Sequence, residues 1–266
     1  MKPPLLFIHG AFTRAGRWRP WLDYFRSAGF TCLAPSLPAH DPPDRARLSR
    51  LTFEDYVEAM IAAAASLGER PVIVGSSMGG LVAQHVAARS KPAGLVLISS
   101  APPWKGGGRV AALPYAFSYL FPVLLGRPLR GNKNAARRLV LHDLTADERD
   151  ELLAIFADES GKAYRTMILG GPPMERGSVT CPVLCISGGG DRLFQARVAA
   201  DIAAFYGARH VVYPHAGHTL ASRALIGPIG QDIVGWIEGL AAIAPSPAPL
   251  PPLPVALPSL AEGAIV

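Results

Sequence analysis

The fold of this chain is decided by the stretch Pro71-Val72-Ile73-Val74-Gly75-Ser76-Ser77-Met78-Gly79-Gly80. Its first four residues are apolar and predict a buried strand, and residues 81–89 have the composition of a helix. Ser77 lies between the two, with a glycine two residues to either side. This arrangement is typical of a nucleophile elbow, a sharp turn that needs small residues because the strand end and the helix start crowd each other. Ser77 is therefore the candidate nucleophile.

A serine hydroxyl becomes a good nucleophile only when a base takes its proton and an acid orients that base. In an elbow of this kind the acid precedes the histidine base along the chain. His218 lies in a short loop after the β-branched stretch 210–213, and Gly217 lets that loop aim the ring. We expect His218 to be the base, and His215 in the same loop is the alternative.

The candidates for the acid that orients the base are few, because no Asp or Glu occurs between residues 78 and 142. The apolar stretch 182–187 predicts a later strand, and Asp191 is the first acid after it, in a glycine-rich turn. We expect Asp191 to orient His218. The alternative is that Asp191 only stabilises the turn or caps the following helix.

Attack by a serine on a carbonyl produces a tetrahedral intermediate, whose negative oxygen needs preorganised donors. One donor would be the backbone N–H of Met78 at the start of the helix. The other would be the N–H of Ala11, because Gly10 lets the loop after the first predicted strand (residues 5–8) turn back over the site. His9 is predicted to hold this loop by hydrogen bonds rather than to act as a second base.

The chain resembles members of the α/β-hydrolase superfamily in four features: His9-Gly10, the elbow, Gly190-Asp191 and Gly217-His218. The resemblance covers roughly residues 3–243. It implies that these positions are the oxyanion loop, nucleophile, acid and base of a small, lid-bearing serine esterase or lipase, all at the carboxyl ends of parallel strands. Relatives often have His before the nucleophile, whereas this chain has Ser76, which alters the hydrogen bonding around the elbow but not the catalytic logic.

Strand and helix patterns alternate before residue 101 and again after residue 179. This alternation predicts a mostly parallel sheet of about six strands with helices on both faces. Between those limits no clear strand pattern occurs, and the segment is too long for a bare loop. We therefore expect a helical lid inserted at about 101–179, with the glycine runs at 106–108 and 170–171 as candidate hinges.

Three aromatic residues are candidate substrate contacts: Phe12 in the oxyanion loop, and Phe117 and Phe121 in the lid. The alternative for the apolar lid residues is that they only pack on the core. Arg14 and Arg17 follow the oxyanion loop and are candidates for contacting a substrate carboxylate. The alternative for these two arginines is that they are solvated or pair locally.

We expect residues 1–243 to form one α/β domain, whose last helix, predicted at 221–243, is interrupted near Gly227-Pro228. From residue 244 onward prolines crowd the sequence, and such a segment favours polyproline geometry. Residues 244–266 are therefore predicted to be a mobile tail. A proline-motif ligand for a partner domain is the alternative.

The composition excludes several classes of protein. Three cysteines without zinc spacing give neither a disulfide framework nor a metal site, and the chemistry predicted above needs no cofactor. The net charge is +6, with nine Lys and Arg and no acid between residues 89 and 138, but no nucleic-acid module accompanies them. We expect a solvated basic face and no nucleic-acid partner.

The sequence shows no secretory leader and no apolar stretch of about eighteen residues. We therefore expect no membrane span and a cytoplasmic protein, with a weak contact at a lipid interface as an open alternative. The oligomeric state is not predicted.

These observations predict a serine hydrolase that cleaves carboxylic esters of hydrophobic acyl or aromatic substrates through an acyl-enzyme. The resemblance excludes dehalogenases and epoxide hydrolases, which use Asp at the elbow, and dienelactone hydrolases, which use Cys. Carbon–carbon bond hydrolases, lactonases and a slow-turnover ligand sensor of the same fold are left as alternatives. A further alternative is an interfacial lipase whose basic, apolar lid opens at anionic lipid.

Overall fold

The computed structural model describes residues 2–104, 113–169 and 171–243. The predicted tail at 244–266, the glycine run at 106–108 and Gly170 lie outside the described residues. The side chain of Phe117 also lies outside this description.

Within the described residues, six strands form one parallel sheet in the order β2-β1-β3-β4-β5-β6. The strands are β1 (Leu5–Ile8), β2 (Cys32–Leu33), β3 (Val72–Ser76), β4 (Gly94–Ile98), β5 (Val183–Gly188) and β6 (Arg209–Tyr213). β1, β3, β4 and β5 are buried along their whole length, which explains why their sequences are continuous apolar runs rather than alternating patterns.

Helices connect the strands and cover both faces of the sheet, so the predicted fold class is confirmed. A short 3-10 helix, Ala15–Trp18, precedes the first α-helix. The α-helices are α1 (Arg19–Ser27), α2 (Arg45–Leu48), α3 (Phe53–Ala65), α4 (Met78–Ser90), α5 (Leu113–Leu124), α6 (Lys133–Leu139), α7 (Ala146–Ala154), α8 (Gly161–Ile168), α9 (Ala196–Tyr206) and α10 (Arg223–Ile243).

The core lies on both faces of the sheet, because successive residues of a strand point to opposite sides. Leu6 and Ile8 of β1 pack with residues of α3, α4 and α9, whereas Leu5 and Phe7 pack with residues of α1 and α10. This packing holds the carboxyl ends of β1, β3, β5 and β6 along one edge of the sheet. The loops that follow these four strands carry the candidate site.

The last helix, α10, is continuous, so the predicted interruption near Gly227-Pro228 is wrong. Pro228 removes the backbone hydrogen bond that residue 228 would donate to the carbonyl of Ala224, near the start of the helix. The helix survives this loss because Ile229, Ile233 and Ile237, spaced four residues apart, are buried in the core.

Among the described residues between β4 and β5 there are four helices, α5 to α8, and we call them the helical insertion. Within the predicted lid, the sequence has helical spacing at 135–141 and 145–157, but no such pattern predicts α8. Its start is fixed by Ser160, whose hydroxyl accepts from the N–H of Ala163, and it packs between α5 on one side and α3 and α4 on the other. Across the described residues, no helix is long and apolar enough to cross a bilayer.

Candidate active site

The turn between β3 and α4 places Ser77 in a strained conformation, with φ at 56° and ψ at −124°. Residues with a side chain rarely adopt this backbone conformation, so contacts with the surrounding structure must hold Ser77 in it. Gly75 and Gly79 allow this turn by their lack of a side chain. A Cβ on Gly79 would lie 2.5 Å from the carbonyl oxygen of Ile8, and one on Gly75 would lie 2.6 Å from the Cβ of Ala83.

His218 and Asp191 form a buried pair, as the sequence predicts, with 2.8 Å between Nδ1 of the ring and Oδ2 of the carboxylate. The other carboxylate oxygen accepts from the backbone N–H groups of Leu193 and Phe194, at 2.7 and 2.9 Å. Burial alone would raise the pKa of Asp191, but the His218 ring and these N–H donors together lower it below its usual value. The ionised carboxylate therefore holds the Nδ1 proton and leaves Nε2 as the nitrogen able to act as a base.

The structure distinguishes the alternatives for this pair. His215, the other candidate base, is exposed and does not line the cavity described below. Asp191 does stabilise its own turn through Leu193 and Phe194, but it does not cap α9, whose N-cap residue is Gln195. One carboxylate oxygen of Asp191 thus stabilises its own turn, and the other holds the ring of His218.

The loop after β1 lies directly against Ser77. A Cβ added to Gly10 would be 3.0 Å from the Cβ of Ser77 and 3.6 Å from its Oγ. His9 holds this loop: its Nε2 accepts from the N–H of Leu37 at 2.9 Å, and its Nδ1 lies 2.9 Å from the carbonyl oxygen of Gly10. Burial lowers the pKa of His9 to about 3, so its ring is neutral and is not a base near neutral pH.

The two candidate oxyanion donors flank the elbow. Ala11 lines the cavity, and its N–H donates to no acceptor in the part of the chain that the structure describes. Met78 is the first residue of α4, where a helix leaves its N–H groups without intrahelical partners. The side chain of Met78 is buried in the core and does not line the cavity.

A cavity of about 370 Å³ opens above Ser77 and His218. All four helices of the helical insertion contribute to its walls, which are mainly apolar. The residues from these helices are Tyr119, Ala135, Ala136, Leu139, Leu152, Tyr164, Met167 and Ile168. The cavity can therefore hold an apolar group next to the candidate nucleophile.

The aromatic contacts differ in part from those predicted. Phe12 lines the cavity, and its ring stacks on Tyr119 and Phe156 with centroids 5.5 and 6.0 Å apart. Phe121 is 74% exposed and does not line the cavity, which corrects the prediction for this residue. The physical reason is helical geometry: Phe121 is two positions from Tyr119 and so points about 200° away from it.

Tyr164 and Phe194 also line the cavity and were not predicted. Tyr164 lies on α8, the helix that the sequence did not reveal, and its ring centroid is 5.4 Å from that of Phe12. The ring of Phe194 is 5.5 Å from that of His218. For Phe194 a signal existed, because it follows Asp191 by three residues in the same turn.

A buried network that the sequence did not reveal joins the loop after β1 to the helical insertion. Its centre is Glu159, which accepts from the hydroxyl of Tyr56 at 2.7 Å and lies 3.2 Å from Nε2 of His40. The same carboxylate accepts from the N–H of Phe12 at 3.4 Å and from that of Ser160 at 2.7 Å. Burial alone would lower the pKa of His40, but the charge of Glu159 raises it.

A second set of hydrogen bonds connects the helical insertion to the loop that carries the candidate base. Asp143, in the loop between α6 and α7, accepts from the N–H of Gly217 at 2.6 Å. Glu148 of α7 accepts from the N–H of Arg223 at 2.7 Å and so caps the start of α10.

In the described residues, no three His, Cys, Asp or Glu side chains lie close enough together to hold a metal ion.

Comparison with known proteins gives matches along most of the chain. The model of the alpha/beta hydrolase family matches residues 5–225, from β1 into α10. The magnesium-chelatase 30 kDa subunit of Rhodobacter capsulatus is 25% identical over 258 residues, which cover 89% of this chain and 87% of that protein. Phospholipase YtpA of Bacillus subtilis is 34% identical over 82 residues, 30% of this chain and 32% of that protein.

Solved structures share the fold. A pyrethroid hydrolase of Sphingobium faniae JZ-2 has a TM-score of 0.71 at 21% identity, covering 90% of this chain and 99% of that one. A monoacylglycerol lipase of Paleococcus ferrophilus has a TM-score of 0.68 at 18% identity, covering 90% and 97%. At such identities the likeness extends to the architecture of the sheet and its helices.

Proposed function

The chain belongs to the alpha/beta hydrolase family, and we propose that it is a serine hydrolase of carboxylic esters that carry a hydrophobic acyl or aromatic group. The main support is that Ser77, in a strained strand-to-helix turn, lines the same cavity as His218, whose ring is paired with a buried Asp191. Strain of this kind exposes a serine hydroxyl to a substrate.

In the proposed mechanism the first half forms the acyl-enzyme. Oγ of Ser77 attacks the ester carbonyl while Nε2 of His218 takes its proton. Asp191 keeps the ring oriented and stabilises the imidazolium. The negative oxygen of the tetrahedral intermediate accepts hydrogen bonds from the N–H groups of Ala11 and Met78. The intermediate then collapses, and His218 returns the proton to the departing alcohol.

The second half releases the acid. A water molecule loses a proton to His218 and attacks the acyl carbon, and the same two N–H groups stabilise the second tetrahedral intermediate. Ser77 leaves as the proton returns to Oγ. The apolar walls of the cavity support a hydrophobic group on the substrate, and we propose that the helical insertion acts as the lid of the site.

The test is hydrolysis of p-nitrophenyl esters from acetate to palmitate by the purified protein and by Ser77→Ala. We expect turnover by the wild type and a loss of about a thousandfold or more in Ser77→Ala and Asp191→Asn. Ser90→Ala, at the far end of α4, is the matched control and should keep full activity. Normal turnover in Ser77→Ala would refute the mechanism.

A second candidate comes from the relative that matches most of the chain. That protein is named a subunit of magnesium chelatase, so this chain would be a subunit of a larger enzyme, with slow turnover if any. The same ester series separates the two candidates. A folded protein with no turnover on any ester would favour the subunit role or carbon–carbon bond cleavage.

A further inference from the structure

Arg17 lies in the wall of the catalytic cavity and is only 6% exposed. Its Nη2 donates to the carbonyl oxygen of Thr219, the residue after His218, at 3.1 Å. A guanidinium has five N–H donors. The remaining four find no acceptor in the part of the chain that the structure describes.

The charge of Arg17 also has no acidic partner within the described residues. None of their Asp or Glu side chains forms an ion pair with it, and the described residues that line the cavity include no other Lys or Arg and no acid. Burial lowers the pKa of Arg17 to about 10, so the group is still charged at neutral pH. A buried cation without an acidic partner is unfavourable, and an anionic ligand would reduce that penalty.

The neighbourhood of Arg17 fixes the direction of its donors. Cζ lies 4.4 Å from the centroid of the Trp18 ring, which supports the planar group through a cation–π contact. The bond to Thr219 anchors one nitrogen. A guanidinium held in this way presents a planar fork, which matches the two oxygens of a carboxylate.

We infer that the substrate of this site carries a carboxylate, and that Arg17 binds it while the apolar group occupies the cavity under the helical insertion. The inference rests on the proposed ester hydrolase function and narrows its substrate class to amphiphilic esters with one free acid. A single cation among apolar walls suits a monoanionic carboxylate better than a dianionic phosphate, which needs more than one cationic partner.

The test compares two substrates that differ only in this charge: the mono-p-nitrophenyl ester of suberic acid and its methyl-capped diester. We expect the wild type to have a kcat/KM for the free acid about tenfold or more above that for the capped diester. Arg17→Gln should lower this ratio about ten- to a hundredfold, mainly through KM, because a charge-assisted bond is lost. Arg17→Lys should retain part of the preference, and Arg19→Gln, which removes an exposed charge two residues away, should retain all of it.

Two outcomes would overturn the inference. One is a wild-type ratio that Arg17→Gln leaves unchanged. The other is an equal loss for both substrates through kcat, which would assign Arg17 a purely structural role on the His218 loop through Thr219.

Binding to Ser77→Ala separates this inference from the proposed function. Calorimetric titration with monomethyl suberate should show binding that Arg17→Gln weakens, whereas dimethyl suberate should bind equally to both proteins. If this holds while the wild type hydrolyses no ester, the carboxylate site stands and the proposed function fails. If esters are hydrolysed but monomethyl suberate binds independently of Arg17, the function stands and the carboxylate site fails.

Discussion

The carboxylate of Asp143 accepts a hydrogen bond from the backbone N–H of Gly217, 2.6 Å away, so the helical insertion holds the residue next to the proposed base. The two residues are 74 positions apart in the chain. A Cβ on Gly217 would lie 2.6 Å from Cγ of Asp143, which shows how closely the two approach. The position of the His218 ring therefore depends on the insertion as well as on Asp191.

Removal of the Asp143 carboxylate is expected to displace the His218 loop. Asp143→Ala should lower kcat/KM about ten- to a hundredfold, because small shifts of a base cost that much in rate. Asp143→Asn should recover most of the activity, since its amide oxygen can still accept from Gly217. The measurement is steady-state ester hydrolysis, with Asp147→Ala, an exposed acid of α7, as the control. Equal activity in Asp143→Ala and Asp147→Ala would contradict this prediction.

The buried pair of His40 and Glu159 is expected to make stability depend on pH. The pKa of His40 is raised in the folded protein, so its contribution is fully present below the unfolded-state value of about 6.5 and is lost as the pH rises through the raised value. His40→Gln should therefore lower the free energy of unfolding by about 3 kcal/mol at pH 5.5 to 6, and by less at pH 9.

Urea unfolding of wild type and His40→Gln at several pH values measures this difference. His215→Gln, at an exposed position, is the control and should change stability little at any pH. A destabilisation by His40→Gln that grows as the pH rises would show that the sign of the linkage is wrong.

Two glycines should respond to alanine in opposite ways. In Gly79→Ala the new methyl group would collide with backbone carbonyls of the strand end and oxyanion loop, Ile8 at 2.5 Å among them, so we expect lost activity and a lower melting temperature. Gly235 lies inside α10 with open space around it, so Gly235→Ala should stabilise the protein by about 0.5 to 1 kcal/mol. Thermal unfolding together with ester hydrolysis tests both, and an active, stable Gly79→Ala would count against the close contact between elbow and loop.

Two aromatic residues of α5 should differ in their effect on catalysis. Tyr119→Ala removes a ring stacked on Phe12 in the cavity wall and should raise KM for hydrophobic esters about three- to tenfold. Phe121→Ala changes a side chain that is 74% exposed outside the cavity and should leave KM for soluble esters unchanged. Kinetics on p-nitrophenyl butyrate compare the two. A similar rise in KM for Phe121→Ala would restore it as a substrate contact.

The local parts of the site were predictable because short-range patterns determine them. The apolar run before Ser77 and the glycines around it specify a strand, a turn and a helix, and Asp191 and His218 could be placed because each follows a strand end. The parallel sheet then brings these loops to one edge. Residues far apart in the sequence can therefore be predicted to lie close together when each of them follows the end of a strand.

The parts that escaped prediction depend on tertiary contacts without a local pattern. Glu159 meets His40 and Tyr56 across more than a hundred positions, and nothing in the sequence around residue 159 marks a buried acid. The insertion could be predicted as helical, but the face each helix turns to the cavity could not, which is why Phe121 was misplaced and Tyr164 was missed. Pro228 was given too much weight, since burial of one face of α10 outweighs a single lost hydrogen bond.

The register between β1 and β3, which pairs Ile8 with Gly75, brings the oxyanion loop and the elbow to the same height at the sheet edge. The proposed catalytic residues thus lie at the carboxyl ends of the strands, whereas most of the apolar wall comes from α5 to α8. We therefore expect substitutions in those four helices to change substrate preference without altering the proposed chemistry. Libraries aimed at new esters should vary Leu139, Leu152 and Ile168 and leave the strand ends alone.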